Sequence, residues 1–260
     1  MEEDKSTNGR GTDLPAELVK ADGEQRPRSL LDLIDLKVLD VDLAAWLVSH
    51  ISRGASLIVG SGPGGVGKST TMRALMAFAP GHLPFAQALP EKIGEIGETP
   101  SCVVSNELSD HPPPTYLWGQ DLREFFALEQ KGHMLVGNMH ADDLSEVREQ
   151  ICAANEVPEQ QFWGLRLFAF IKMEGADPNA RRIKDTTSRR YFTRIFYSDG
   201  ASAHQTIFSA EGRLDERAPR DAQYEALCRA FLQELLAGGA RTIEEVRRLF
   251  LVWEKEQLQS

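Results

Sequence analysis

The eight residues Gly62-Pro63-Gly64-Gly65-Val66-Gly67-Lys68-Ser69 fill every fixed position of the pattern G-x-x-x-x-G-K-[S/T]. Such a loop needs a strand before it and a helix after it. Ala55-Ser56-Leu57-Ile58-Val59 is a short apolar run with β-branched members and reads as a buried strand. The stretch from Thr70 to Met76 reads as a helix. Glycines permit positive φ and close approach of the backbone to a phosphate, so the loop amides and the helix N-terminus face the anion. The pattern assigns nucleotide binding to Gly62, Pro63, Gly64, Gly65, Val66, Gly67, Lys68, Ser69 and Thr70. Lys68 would reach the β- and γ-phosphates of ATP, and the Ser69 hydroxyl would bind Mg²⁺.

Composition limits what surrounds this loop. A chain of 260 residues with 42% hydrophobic content can build a sizeable core as one large or two small domains. A formal net charge of −10 and a pI near 5.2 disfavour general coating of nucleic acid. The three cysteines, Cys102, Cys152 and Cys228, are too far apart for a metal or disulfide pattern and fit a reducing compartment. No apolar run has the length of a membrane span, and the polar, acidic N-terminus is not a secretory signal. The expected location is the cytoplasm.

Three regions follow from the patterning. Residues 1–27 are polar and read as a disordered tail, 28–210 as the nucleotide-binding domain, and 211–260 as a C-terminal helical segment. Within the second, Leu43, Trp46, Leu47 and Ile51 share one helical face. Ser101–Ser105, Thr115–Trp118 and His133–Asn138 read as strands, and Asp121–Lys131 and Leu144–Ala154 as helices. This alternation predicts an α/β fold, a mostly parallel sheet with helices on both faces. The apolar run Phe162–Met173, the strand Tyr191–Tyr197 and Thr206–Phe208 suggest an antiparallel edge or a small antiparallel β-layer. Two helices close the chain, the second opening on a capping box of Thr242 and Glu245 and carrying a core stripe of Ile243, Val246, Leu249, Phe250 and Trp253.

The segment Gly132-His133-Met134-Leu135-Val136-Gly137-Asn138-Met139-His140 resembles the histidine box of the type II/IV secretion-system ATPases, the family of the pilus and secretion motors. Val103-Val104-Ser105-Asn106-Glu107-Leu108-Ser109-Asp110 resembles that family's acidic box, and Tyr116-Leu117-Trp118-Gly119-Gln120 its Walker B strand. The likeness spans roughly residues 40 to 210. It implies a RecA-like P-loop NTPase that hydrolyses ATP with Mg²⁺. It further implies a homo-oligomer, nucleotide-dependent in its assembly, serving a protein partner of a secretion or pilus-like machine at the periphery of a membrane.

Departures accompany the likeness. Where the family carries a Glu at the Walker B strand end, the matching position holds Gln120, with Asp121 and Glu124 nearby. The short stretch from Asp110 to Thr115 holds three prolines and none of the family's arginines. Too little chain precedes the first strand for the family's N-terminal domain. Glu107 is then the carboxylate expected to act on water or hold Mg²⁺ beside Ser69. His140 is expected to contact or sense the γ-phosphate, and His133 to be structural. Asp142 and Asp143 read as a helix N-cap pair. The catalytic set is Glu107, Lys68 and His140. The basic run Arg181–Arg194 reads as a solvated face, as a holder of a polyanion, or, above all through Arg189 and Arg190, as the supply of an arginine to a neighbouring subunit. A regulatory or assembly module with little turnover and a small-molecule kinase fit the same loop.

Overall fold

The computed structural model describes residues 14, 15, 19, 26–111, 115–177, 180–209 and 211–259. Most of the stretch expected to be a disordered tail lies outside the described residues, as do prolines 112–114; of the tail's described residues, Leu14 is buried in the main core.

Helices α1 (Leu30–Asp35) and α2 (Val41–Ile51) lead into strand β1 (Leu57–Gly60). The glycine-rich loop follows, then α3 (Lys68–Met76), β2 (Phe85–Gln87), β3 (Cys102–Val104), α4 (Gln120–Ala127) and β4 (Met134–Met139). Next come α5 (Leu144–Arg148), α6 (Glu159–Gly164), β5 (Leu167–Met173), β6 (Arg190–Tyr197), β7 (Gln205–Ser209), α7 (Ala222–Gly238) and α8 (Ile243–Gln259). The strands form one sheet in the order β2-β3-β4-β1-β5-β6-β7. The first five are parallel; β6 and β7 run antiparallel. Of the two forms expected for the antiparallel part, the structure has the edge rather than a separate layer. It continues the same sheet through β5, which pairs parallel with β1 and antiparallel with β6.

β1 lies at the centre, Leu57 opposite Val136 on one side and Leu167 on the other. All four of its residues are buried, as a strand covered on both faces must be. Side chains alternate between two cores. Leu57, Val59, Val136 and Ala169 face α1, α2, α3, α7 and α8, whereas Ile58, Leu135, Phe168 and Phe170 face α4, α5 and α6. The α8 stripe is core as expected, with one addition. Arg247, fully buried, donates through Nη1 to the carbonyls of Ala77 and Ala79 at the end of α3 and sits over the rings of Phe85 and Phe250. A cation there satisfies carbonyls that the helix end leaves open.

Two sequence expectations are corrected. Thr115–Trp118 is not a strand. It makes a turn and a single bridge, Leu117 to Leu108, before Gly119 at φ 60° swings the chain into α4. The run Phe162–Met173 is broken at Leu165, its first part closing α6 and its second forming β5. Strand β2 carried no pattern of its own; it pairs with β3 at the sheet edge.

His204 ties the β6–β7 connection to the α6–β5 corner. Its Nε2 donates to the Leu165 carbonyl at 2.6 Å and its ring packs edge-on against Phe162 and Phe168. Burial pulls its pKa down to about 4, the Leu165 bond opposing. A depressed histidine favours the fold only while the unfolded chain would also be neutral, so its contribution is full above about pH 6.5 and lost as pH falls toward 4. His50, also pulled down by burial, adds in the same direction. Acidification from pH 7 to 4.5 should cost the wild type about 2 kcal/mol more than His204→Phe, read by urea unfolding at each pH. Identical pH slopes would refute this role.

Candidate functional site

β1 ends in Gly60 and Ser61, and the loop 62–67 carries the chain over the sheet's carboxyl edge into α3. Gly67, at φ 117°, forms the N-cap of α3 without a side-chain cap, so its first-turn amides stay open. Along the loop and first turn, the amides of Gly65 through Thr70 meet no acceptor among the described residues. Successive open amides form a concave anion seat. The loop is fixed from outside by segment 181–183: the Gly64 amide donates to Arg181 O at 2.9 Å, and the Ile183 amide to Gly64 O at 2.8 Å. The contact needs glycine at 65, since a Cβ there would lie 2.2 Å from the Ile183 carbonyl.

Three strand ends meet beneath the loop. From Val104 to Leu108 the β3 chain advances four residues while its partner advances three, Val136 to Met139. The extra residue is a bulge, which re-aims side chains at a sheet rim. Glu107 lies in it, buried, with Oε1 4.0 Å from Lys68 Nζ and Oε2 3.9 Å from His140 Nε2. Asn138, near the end of β4, donates to Ser69 Oγ at 3.2 Å and to Asn106 O at 3.0 Å. His140 Nδ1 lies 2.8 Å from Gly62 O and 3.3 Å from Lys68 Nζ. The shorter contact needs a proton on Nδ1, which assigns that tautomer and leaves Nε2 facing Glu107.

The charges are under-compensated. Four buried side-chain polar atoms lack partners among the described residues, and three of them, Ser61 Oγ, Glu107 Oε1 and Asn138 Oδ1, are here. Lys68, 6% exposed, is pulled below the ordinary lysine pKa by burial, with Glu107 and Asp142 opposing. Glu107 is pushed above the ordinary carboxylate range by burial, with Lys68 and His140 opposing. At 4.0 Å the pair does not hydrogen-bond, and desolvation of each partner outweighs their attraction. Orphaned buried groups cost free energy and mark places where a ligand completes the bonding.

The sequence placed Lys68, Ser69, Glu107 and His140 in one site, and the fold brings all four together. Gln120 and Asp121 are elsewhere. Gln120 is the exposed first residue of α4, bonded to Glu124, and Asp121 accepts from the Glu91 amide. On one side β4 pairs with β1 and β3 with β4, and the buried carboxylate at the rim is Glu107, three residues beyond β3. His133 is structural, bridging the Ser101 amide and Gly97 O. Asp143 caps α5 as expected, but Asp142 accepts from the Gly62 amide at 3.1 Å. Arg189 donates to Lys37 O, and Arg190 to Val66 O of the chain's own loop. Asn138 was missed as a site residue; a lone amide inside an apolar parallel strand was its signal.

No family model and no curated protein sequence matches the chain. Among solved structures that match is the VirB11 ATPase from the Brucella suis type IV secretion system in complex with sulphate, at TM-score 0.42 and 15% identity, over 65% of this chain and 57% of that one. The chain thus spans 57% of that neighbour's length, and the chemistry of the site rests on its own geometry.

Gly65→Ala should lower stability by about 1–3 kcal/mol in urea unfolding, because strain adds to the Ile183 clash. Gly67→Ala, whose added methyl meets nothing within 4 Å, should cost less. Equal losses would mean the 181–183 contact does not fix the loop.

Proposed function

We propose that the chain binds ATP with Mg²⁺ at residues 62–70 and hydrolyses it. The observation that carries this reading is the convergence of an open amide seat with a buried lysine and three orphaned polar atoms. A polyphosphate supplies what those groups lack: oxygens for the amides, negative charge for Lys68, and a bound cation and water for Glu107 and Asn138.

No group of three His, Cys, Asp or Glu side chains suited to a metal occurs among the described residues. Mg²⁺ needs none, since it keeps several waters and takes one or two protein oxygens beside the substrate's phosphates. Ser69 Oγ and the unpartnered Glu107 Oε1 fit that share, and bound Mg²⁺ would neutralise phosphate charge. The residues do the rest. The open amides and Lys68 orient the chain of phosphates and stabilise charge on the γ-oxygens. Glu107, its basicity raised by burial, takes a proton as water attacks the γ-phosphorus. The bond from the γ-phosphorus to the β–γ bridging oxygen breaks, giving ADP and phosphate. His140, linking the Gly62 carbonyl to Glu107, relates the loop's position to the carboxylate.

This reading also removes the sequence's main reason for low turnover. In this reading the catalytic carboxylate is Glu107, which lies 4.0 Å from Lys68 Nζ, while Gln120 sits at the start of α4. Self-association and a secretion- or pilus-type partner belong to the same proposal. No helix among the described residues is long and apolar enough to cross a membrane.

Lys68→Ala should abolish ATP binding in calorimetry. Glu107→Gln should keep binding and lower turnover roughly 10²-fold or more. Gln120→Glu should change neither. Equal ATP affinity of wild type and Lys68→Ala would sink the assignment. Light scattering at tens of micromolar with a non-hydrolysable ATP analogue should show a mass increase; a strict monomer would rule out a shared site.

A further inference from the structure

The loop has a second side. Lys68 and Ser69 face Glu107, His140 and Asn138, whereas Gly65, Val66, Gly67 and Thr70 also border a cleft of about 490 Å³ on the opposite flank. Leu33, Val38 and Ile243 give the cleft an apolar wall, and Arg26, Arg28, Arg73 and Arg190 line it with no acidic side chain among the described lining residues. Its volume suits a nucleoside with one further group.

The arginines are not equivalent. Arg26 is neutralised by both oxygens of Asp32, at 2.7 and 2.8 Å. Arg190 is held by carbonyls only, those of Val66, Ser188 and Asp185, which fix the guanidinium without cancelling its charge. The Asp185 carboxylate is taken up by Thr187 and Ser188. Arg28, half-buried, makes no hydrogen bond or ion pair among the described residues. Burial pulls Arg190 below the ordinary arginine pKa; the charge of Asp185 opposes this, and the weaker charge of Arg28 across the cleft adds to it. A solvated basic face would be exposed and free to spread; here one cation is pinned and the other stands half-buried beside it.

We propose that this cleft takes the nucleoside end of the bound nucleotide and selects one carrying a second phosphate on its ribose, held between Arg28 and Arg190. The inference rests on the nucleotide-binding reading above. A nucleotide lying across the open amides has its terminal phosphates toward Lys68 and its nucleoside toward the cleft. The 5′-phosphates then have their partners on the loop, the base has the apolar wall, and the ribose is the part left opposite two guanidiniums that no carboxylate pairs with directly among the described residues. A phosphate dianion matches them in charge and in fork geometry.

Calorimetry on the full chain with ADP, with adenosine 3′-phosphate 5′-diphosphate and with its 2′-phosphate isomer tests this, with the guanosine compounds in parallel. One ribose-phosphorylated form should bind at least about tenfold more tightly than the plain diphosphate. In Arg28→Ala that ratio should fall to about one while affinity for the plain diphosphate changes less than about twofold. Arg28 holds no structural partner, so the variant should fold, which its melting curve checks. A ratio near one in the wild type, or one that survives Arg28→Ala, overturns the ribose-phosphate selection and leaves nucleotide binding standing. If neither diphosphate binds at millimolar concentration, the nucleotide reading falls as well.

Discussion

Everything at the site depends on the pairing of β1 with β4 on one edge and β5 on the other. A strand bonded on both edges and covered on both faces has no freedom to shift register without turning its apolar side chains into the wrong core. That fixes where Gly60 ends and therefore where the loop begins. It also fixes β4, and through it the height at which Asn138 and His140 emerge. The tight approach of Gly60 to Phe170 and the Ala141 carbonyl leaves no room for a side chain, so the strand end is locked where the loop must start. Behind the loop, α3 is held at its far end by Arg247, whose buried guanidinium binds the carbonyls of Ala77 and Ala79.

On this rigid frame the protein carries a local electrostatic deficit. Lys68 and Glu107 are both buried, neither hydrogen-bonds the other, and each is pushed toward its neutral form. Elsewhere buried polar groups are mostly paired: Ser49 bonds to Trp46 O, His133 to two backbone groups, and Glu225 to Arg220. Three of the four unpartnered buried polar atoms among the described residues gather under the loop, the fourth being His204 Nδ1. Such a concentration of unmet bonding is tolerated because the surrounding cores over-determine the backbone.

Much of this was legible in the residues. The loop motif, the strand before it and the helix after it require only local pattern, and they are where the pattern put them. The alternation of apolar segments gave the α/β class because β1, β3 and β4 are continuous apolar runs, as buried parallel strands are. Glu107 and His140 could be selected because each follows such a run, at the sheet edge where α/β folds bind ligands. The error at Gln120 arose because Tyr116-Leu117-Trp118 has strand-like composition, while its pairing partner, Leu108, offers one bridge and no strand. Composition cannot report that no edge is available. Asn138, Asp142 and Arg190 were under-read for a related reason: their partners, Ser69, Gly62 and Val66, lie 69, 80 and 124 residues away.

The sequence by itself determined that a glycine-rich loop joins a buried strand to a helix, and that the frame is a largely parallel sheet. Both follow from short-range rules: glycine's backbone freedom, apolar periodicity and the capping of helices. Only the tertiary structure decided how Glu107 is turned to face Lys68 and His140, that Asp121 lies elsewhere, and that the basic segment 181–190 folds back onto the loop. Those outcomes depend on which strand edges find one another and on a single-residue bulge after β3. Such choices are set by the competition of distant segments for the same surface, and no window of local sequence contains them.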